Sequence, residues 1–131
     1  MTDNELCALA VNALGKSYSP YSGYRVGAAL LCADGTVYTG CNIENAAFGP
    51  TICAERVAIF KAVSDGRRDF LKIAVAGGKG GVIDGIFPPC GVCRQVMSEF
   101  CSGDFEILLV KPQTEFQKTT LSELLPLSFG L

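Results

Sequence analysis

Residues 26–41 read VGAALLCADGTVYTGC, and this stretch decides the fold. Two apolar, β-prone runs, Val26 to Ala33 and Thr36 to Cys41, flank Asp34-Gly35, a dipeptide that favours a two-residue hairpin turn, so two antiparallel strands are predicted. Towards the N-terminus, Leu6, Leu9, Ala10, Ala13 and Leu14 recur at helical spacing and stop at Gly15, which predicts a first helix. Ser17 to Gly23, with Pro20 and two tyrosines, reads as a loop. Towards the C-terminus, Thr51 is placed to cap a helix from Ile52 to Ser64, whose apolar body Val57-Ala58-Ile59-Phe60 and Ala62-Val63 predicts deep packing. Leu71 to Ala76 suits an inner strand. Gly77-Gly78-Lys79-Gly80-Gly81 begins a loop that ends at Pro88-Pro89 and lacks the Gly-Lys-Ser/Thr ending of a phosphate loop. Cys90 to Phe100 predicts a helix, Phe105 to Val110 a strand and Ser122 to Leu125 a helical turn. Hairpin, helix, strand, helix, strand implies one α/β layered domain over residues 1–131, with a mixed sheet.

A chain of 131 residues is long enough to bury roughly two-thirds of its unfolded surface. Hydrophobic residues make up 49%, so neighbouring subunits are expected to cover some of the apolar surface. The net charge of −2, with Lys and Arg scattered singly except at Arg67-Arg68, offers no footprint for nucleic acid and favours small uncharged or mildly polar substrates. Met1-Thr2-Asp3-Asn4-Glu5 is acidic where a signal peptide is basic, and no apolar run approaches the roughly 20 residues of a membrane span, so a cytoplasmic location is expected. Seven cysteines, an odd number, point to reduced thiols or metal binding rather than a disulfide framework. Cys7, Cys32, Cys41 and Cys101 lie in apolar surroundings and read as small core residues.

The remaining three cysteines fall in Thr51-Ile52-Cys53-Ala54-Glu55-Arg56 and Pro89-Cys90-Gly91-Val92-Cys93. A structural zinc site closes its tetrahedron with a fourth Cys or His, whereas a catalytic site keeps one position for water. The chain contains no His. Cys53 and Cys90 sit at the starts of predicted helices and Cys93 in the first turn of the second, where free N–H groups and the positive dipole end favour thiolates. Three thiolates and a zinc ion sum to about −1, and Arg56, in the same turn and followed by apolar residues, is expected to donate to the sulfurs. Its plainer alternative is a surface arginine. Glu55 is expected to reach substrate without touching metal, with its pKa raised by thiolates and apolar neighbours, as suits proton transfer. The plainer alternative is a glutamate favoured by the helix dipole. A redox pair at Cys90 and Cys93 is disfavoured, because the motif does not directly follow a strand and leaves Cys53 and Glu55 unused.

Four blocks carry a resemblance: Gly40-Cys41-Asn42-Ile43-Glu44-Asn45-Ala46-Ala47, Thr51-Ile52-Cys53-Ala54-Glu55-Arg56-Val57-Ala58, Pro89-Cys90-Gly91-Val92-Cys93-Arg94-Gln95 and Leu125-Pro126-Leu127-Ser128-Phe129. In that order, and over nearly the whole length, the chain resembles the short, single-domain cytidine deaminases. The resemblance implies a three-layer α/β/α fold with a mixed five-stranded sheet. It also implies zinc-dependent hydrolytic deamination of cytidine and deoxycytidine in pyrimidine salvage. Zinc would be held by Cys53, Cys90 and Cys93, with the fourth position left to water. Glu55 would pass protons from that water to the base and the leaving amine, the Ala54 N–H would hold the base carbonyl, and ammonia would leave past Pro89. Asn42 and Glu44 would bind the sugar 3′-hydroxyl, with Ile43 between them turned into packing. Tyr24 would lie against the base, where relatives tend to carry Phe, and Phe48 stands where relatives often carry Tyr. Phe129 would enter the pocket of an adjacent subunit in a homotetramer. Spacing alone also fits an Asx turn with a solvated Glu44, and Phe129 as ordinary core. Two rivals are a structural zinc module that binds a protein and a deaminase of an aminonucleoside antibiotic, which should not need Asn42 and Glu44. An enzyme acting on polynucleotides would want a basic, aromatic surface that the chain lacks.

Overall fold

In the computed structural model, which describes residues 1–131, the hairpin of β1 (Tyr24–Cys32) and β2 (Val37–Cys41) closes between Cys32 and Thr36 through a three-residue loop rather than the expected two-residue turn. The Gly35 N–H donates to Cys32 O at 3.0 Å and the Cys32 N–H to Thr36 O at 2.9 Å. A type I′ turn needs two left-handed residues, but of this loop only Gly35, at φ 89°, is one. Asp34 instead accepts from the Thr36 N–H at 3.0 Å, and Gly35 takes the left-handed bulge position.

Helix α1 (Asp3–Leu14) starts in a capping box: Thr2 Oγ1 accepts from the Glu5 N–H at 3.1 Å and Glu5 Oε2 from the Thr2 N–H at 2.9 Å. After the hairpin come α2 (Ala54–Ser64), β3 (Phe70–Lys79), α3 (Gly91–Phe100), β4 (Glu106–Val110), β5 (Phe116–Thr120) and the single turn α4 (Leu121–Leu124). The sheet runs β2-β1-β3-β4-β5, antiparallel except for the parallel pair β3 and β4.

Strand alternation sorts the core onto two faces. Ala29, Leu31, Ala74, Ala76, Leu108 and Val110 meet Leu6, Cys7, Ala10 and Leu14 of α1. Val26, Ala28, Leu30, Ile73, Val75, Ile107 and Leu109 meet Ala58, Ile59 and Ala62 of α2 and Met97 of α3. The result is the three-layer α/β/α arrangement with a mixed five-stranded sheet. Cys7 and Cys32 are fully buried in it, whereas Cys41 and Cys101 are only partly covered.

Two elements depart from the local reading. Strand β3 runs on through Gly77 and Gly78, which pair with Val26 and Arg25, so the loop begins later than expected. A Cβ on Gly77 would stand 2.8 Å from the Phe87 ring, and one on Gly78 would stand 1.8 Å from Val82 O. These glycines therefore admit the returning segment, and the chain reverses at Gly80 and Gly81, with φ of 64° and 85°. Strand β5 has no apolar run of its own; pairing with β4 creates it, and exposed Gln117 and Lys118 blunt the free edge.

Candidate active site

Helix α2 begins later than expected, at Ala54, with Cys53 as N-cap. Thr51 does not cap it, because its hydroxyl accepts from the Asn45 N–H at 3.0 Å and is spent on the preceding loop. Helix α3 likewise begins after Cys90, and neither cysteine makes a side-chain capping bond. Two uncapped helix N-termini therefore converge, and each retains N–H groups with no intrahelical acceptor, that of Ala54 among them.

The Sγ atoms of Cys53, Cys90 and Cys93 lie within 4.8 Å of one another, with 3.6 Å between Cys53 and Cys90. Tetrahedral zinc at its usual Zn–S distance spaces its sulfurs by roughly 3.8 Å, so the cluster has the size for that ion. Cys93 is buried, Cys53 partly so, and Cys90 faces solvent, which leaves the cluster open on one side. Arg56 Nη2 donates to Cys53 Sγ at 3.5 Å. Neighbouring Cys93, opposed by burial and helped by Arg56 and Cys90, draws the Cys53 pKa down to about 5. The same pairing with Cys53, together with burial, pushes the Cys93 thiol upwards. A divalent cation bound among the sulfurs would favour the thiolate form of all three.

Glu55 is 3% exposed. Burial, and then the neighbouring Cys53 charge, push its pKa up to about 7. Its Oε1 and the Arg56 Nε are buried and make no hydrogen bond within the chain. Buried polar atoms rarely go unpaired, so a carboxylate oxygen left over beside three sulfurs is the mark of a site completed by a ligand. Pro89, next to Cys90, is fully buried.

Asn42 and Glu44 both hold the loop before β1, which sequence reading left without a role. Asn42 Oδ1 accepts from Ser17 Oγ and from the Val26 N–H at 2.9 Å, while its Nδ2 donates to Tyr24 O at 2.8 Å. Glu44 accepts from the backbone N–H groups of Tyr21 at 2.9 Å and Ser22 at 3.1 Å, and from the Ser22 hydroxyl. The Ser22 bonds hold the Glu44 carboxyl below its ordinary pKa. Glu44 borders a cavity of about 340 Å³ shared with Tyr21, Ser22, Phe48 and Thr51, of a size to take a small ligand. A larger concavity on the outer face of α2, around Tyr38 and Phe60, contains none of the sulfurs.

Ile43 does not turn into packing. It is 45% exposed, because its backbone is committed to Ile52 through two bonds of 3.0 Å that aim the side chain outwards. The Tyr24 ring lies 6.0 Å from that of Phe87, and Phe48, at φ 64°, stands edge-on to Tyr21. Phe129 is 70% exposed, so it is no part of its own chain's core.

Residues 1–108 match the family described as the cytidine and deoxycytidylate deaminase zinc-binding region. The cytidine deaminase of Sporosarcina psychrophila is 47% identical over 130 residues, covering 99% of this chain and 93% of that protein. That of Halalkalibacterium halodurans is 51% identical over 120 residues, covering 92% and 88%. The crystal structure of cytidine deaminase from Burkholderia pseudomallei has a TM-score of 0.90 at 44% identity, and the match covers 98% of this chain and 100% of that one. Sulfur spacing, donor chemistry and ancestry agree on zinc as the cofactor, and the chain belongs to the cytidine and deoxycytidylate deaminase family.

Proposed function

We propose that this chain catalyses the hydrolytic deamination of cytidine and deoxycytidine to uridine and deoxyuridine with release of ammonia, in pyrimidine salvage. The observation that carries the reading is the unpaired Oε1 of buried Glu55 beside three convergent thiols. Cys53, Cys90 and Cys93 would hold zinc, which when bound supplies Lewis-acid activation of a water molecule and lowers its pKa towards about 7.

Glu55 then does the proton work. It takes a proton from the attacking water and gives it to N3 of the pyrimidine as the water oxygen bonds to C4. It next removes the proton of the new C4 hydroxyl and delivers it to the amine, the C4–N4 bond breaks, and ammonia leaves past Pro89. One carboxyl with a pKa near neutrality can serve both transfers. The Ala54 N–H, free at the helix start, holds the base carbonyl. Arg56 offsets the charge of the thiolates through its bond to Cys53.

Glu44, on the wall of the cavity, and Asn42 are assigned to the sugar 3′-hydroxyl. Tyr24 stacks on the base and Phe129 reaches the pocket of a neighbouring subunit. Tyr24, Phe48 and Phe129 are all exposed in the single chain, which fits a homotetramer with shared active sites. No helix is long and apolar enough to cross a membrane, and the reading is of a single-domain cytoplasmic enzyme without nucleic-acid partners.

An ultraviolet absorbance assay with cytidine, deoxycytidine, cytosine and cytidine monophosphate tests the proposal. Turnover of both nucleosides is expected, and turnover of cytosine alone would discard the sugar assignment. Glu55→Ala should keep one zinc per chain and lose about 10³-fold or more in kcat. In a structural zinc module that binds a protein, this change would alter nothing.

A further inference from the structure

Arg94 follows Cys93 in the first turn of α3, and its side chain does not run out into water. Its Nε donates to Pro89 O at 2.7 Å and its Nη1 to Leu124 O at 2.7 Å. Pro89 is fully buried and immediately precedes Cys90. Leu124 closes α4, and beyond it runs the tail Leu125-Pro126-Leu127-Ser128-Phe129. A carbonyl at the end of a helix has no intrahelical donor, and a planar guanidinium can serve two carbonyls from separate segments at once in one fixed geometry.

We propose that Arg94 is a positioning residue that ties the loop bearing Cys90 to the C-terminal tail bearing Phe129, so that metal occupancy and tail order rise and fall together. This rests on the reading above of Cys90 as a zinc ligand and Phe129 as part of a substrate pocket. Arg94 touches neither metal nor substrate; it acts through the Pro89 and Leu124 carbonyls. In Arg94→Lys the ammonium is a point charge able to hold one carbonyl in line but not both, so this conservative change cuts the tie without removing the charge.

Chymotryptic cleavage after Phe129, followed by mass in holoenzyme and in chelator-treated protein, reads tail order without reference to turnover. In the wild type, cleavage should speed up about fivefold on zinc removal. In Arg94→Lys it should be fast with or without zinc, and zinc should pass to a chromogenic chelator about tenfold faster. KM for cytidine should rise with kcat little changed. On a chain truncated after Leu127, Arg94→Lys should add nothing further to KM while still speeding zinc release.

Wild-type cleavage indifferent to zinc would overturn the proposal, as would KM effects of the variant and the truncation that simply multiply. Should Arg94→Lys fail to fold, the wild-type cleavage experiment decides alone. A wild-type protein that leaves cytidine untouched would sink the deaminase reading, whereas the cleavage result would still decide whether metal and tail are coupled.

Discussion

A Cβ on Gly40 would stand 2.5 Å from the carbonyl oxygen of Ala54 and 2.7 Å from the nitrogen of Ala58. Strand β2 and the first turn of α2 therefore touch backbone to backbone, and this contact sets where Cys53 and Glu55 lie relative to the end of the strand. Neither neighbour is a flexible side chain that could yield. Gly40→Ala should destabilise the fold by about 1–3 kcal/mol and weaken zinc retention, because the helix must back away with its ligand. Gly35→Ala is the control. Nothing lies within 4 Å of its added Cβ, so only the φ of 89° opposes it. It should cost about 1–2 kcal/mol and leave zinc content and turnover unchanged. Denaturant melts with metal analysis check both.

Arg56 lies against the sulfurs with its Nε unpaired and one Nη2 bond to Cys53. Arg56→Ala removes the one cation that faces the thiolates. Zinc should then leave about 10–100-fold faster in a chelator competition, with kcat reduced as well. Zinc release and kcat equal to wild type would remove the role assigned to this guanidinium.

Asn42 and Glu44 should separate in stability although they are assigned to the same hydroxyl. Asn42 is 8% exposed and serves the buried Val26 N–H and the partly buried Tyr24 carbonyl. Asn42→Ala strands both and should cost about 2–4 kcal/mol in urea melts. Glu44→Gln keeps one acceptor oxygen near a more open loop and should cost under about 1 kcal/mol. Both should raise KM for cytidine. A Glu44→Gln enzyme with wild-type KM would release that carboxylate from substrate binding.

Phe129 and Leu127 project from the chain, at 70% and 103% exposure. Truncation after Leu127 should raise KM for cytidine several-fold, in the range of about 1–2 kcal/mol for a lost aromatic contact, and leave the thermal midpoint of the subunit core nearly unchanged. An unchanged KM would dissolve the shared pocket.

Asp3 bridges Lys72 at 2.8 Å and Lys118 at 3.1 Å, joining α1 to β3 and β5. The Lys72 hydrogen bond, opposed by partial burial, holds the Asp3 carboxyl below its usual 3.8. A depressed folded pKa stabilises above the unfolded value and loses that contribution as pH falls through the folded one. The stability gap between wild type and Asp3→Asn should therefore be full above about pH 5 and shrink progressively below about pH 4. Urea melts of the pair at about pH 7 and about pH 3.5 read the difference directly, and a gap that does not narrow would show that the ion pair contributes nothing.

Much of this protein was legible in the residue order, for a local reason. Helix periodicity in Leu6 to Leu14, the turn chemistry around Asp34-Gly35, and the placement of Cys53 and Cys90 at helix starts all depend on neighbours a few positions away. So do the donor types of the site: three thiols, one carboxylate and one guanidinium on two short segments. What tertiary structure alone decided depends on distant backbone. Strand β5 exists because β4 offers it a ladder, and Gly77 and Gly78 stay in β3 because Phe87 and Val82 lie across them. Thr51 gave up its cap to Asn45, Ile43 faced outwards because Ile52 holds its main chain, and Asn42 turned inwards to Val26 and Tyr24. Which residues can bind a metal and move a proton follows from side-chain chemistry written in the sequence. Which way each one points is set by hydrogen bonds from segments far along the chain, and only the folded sheet brings those segments together.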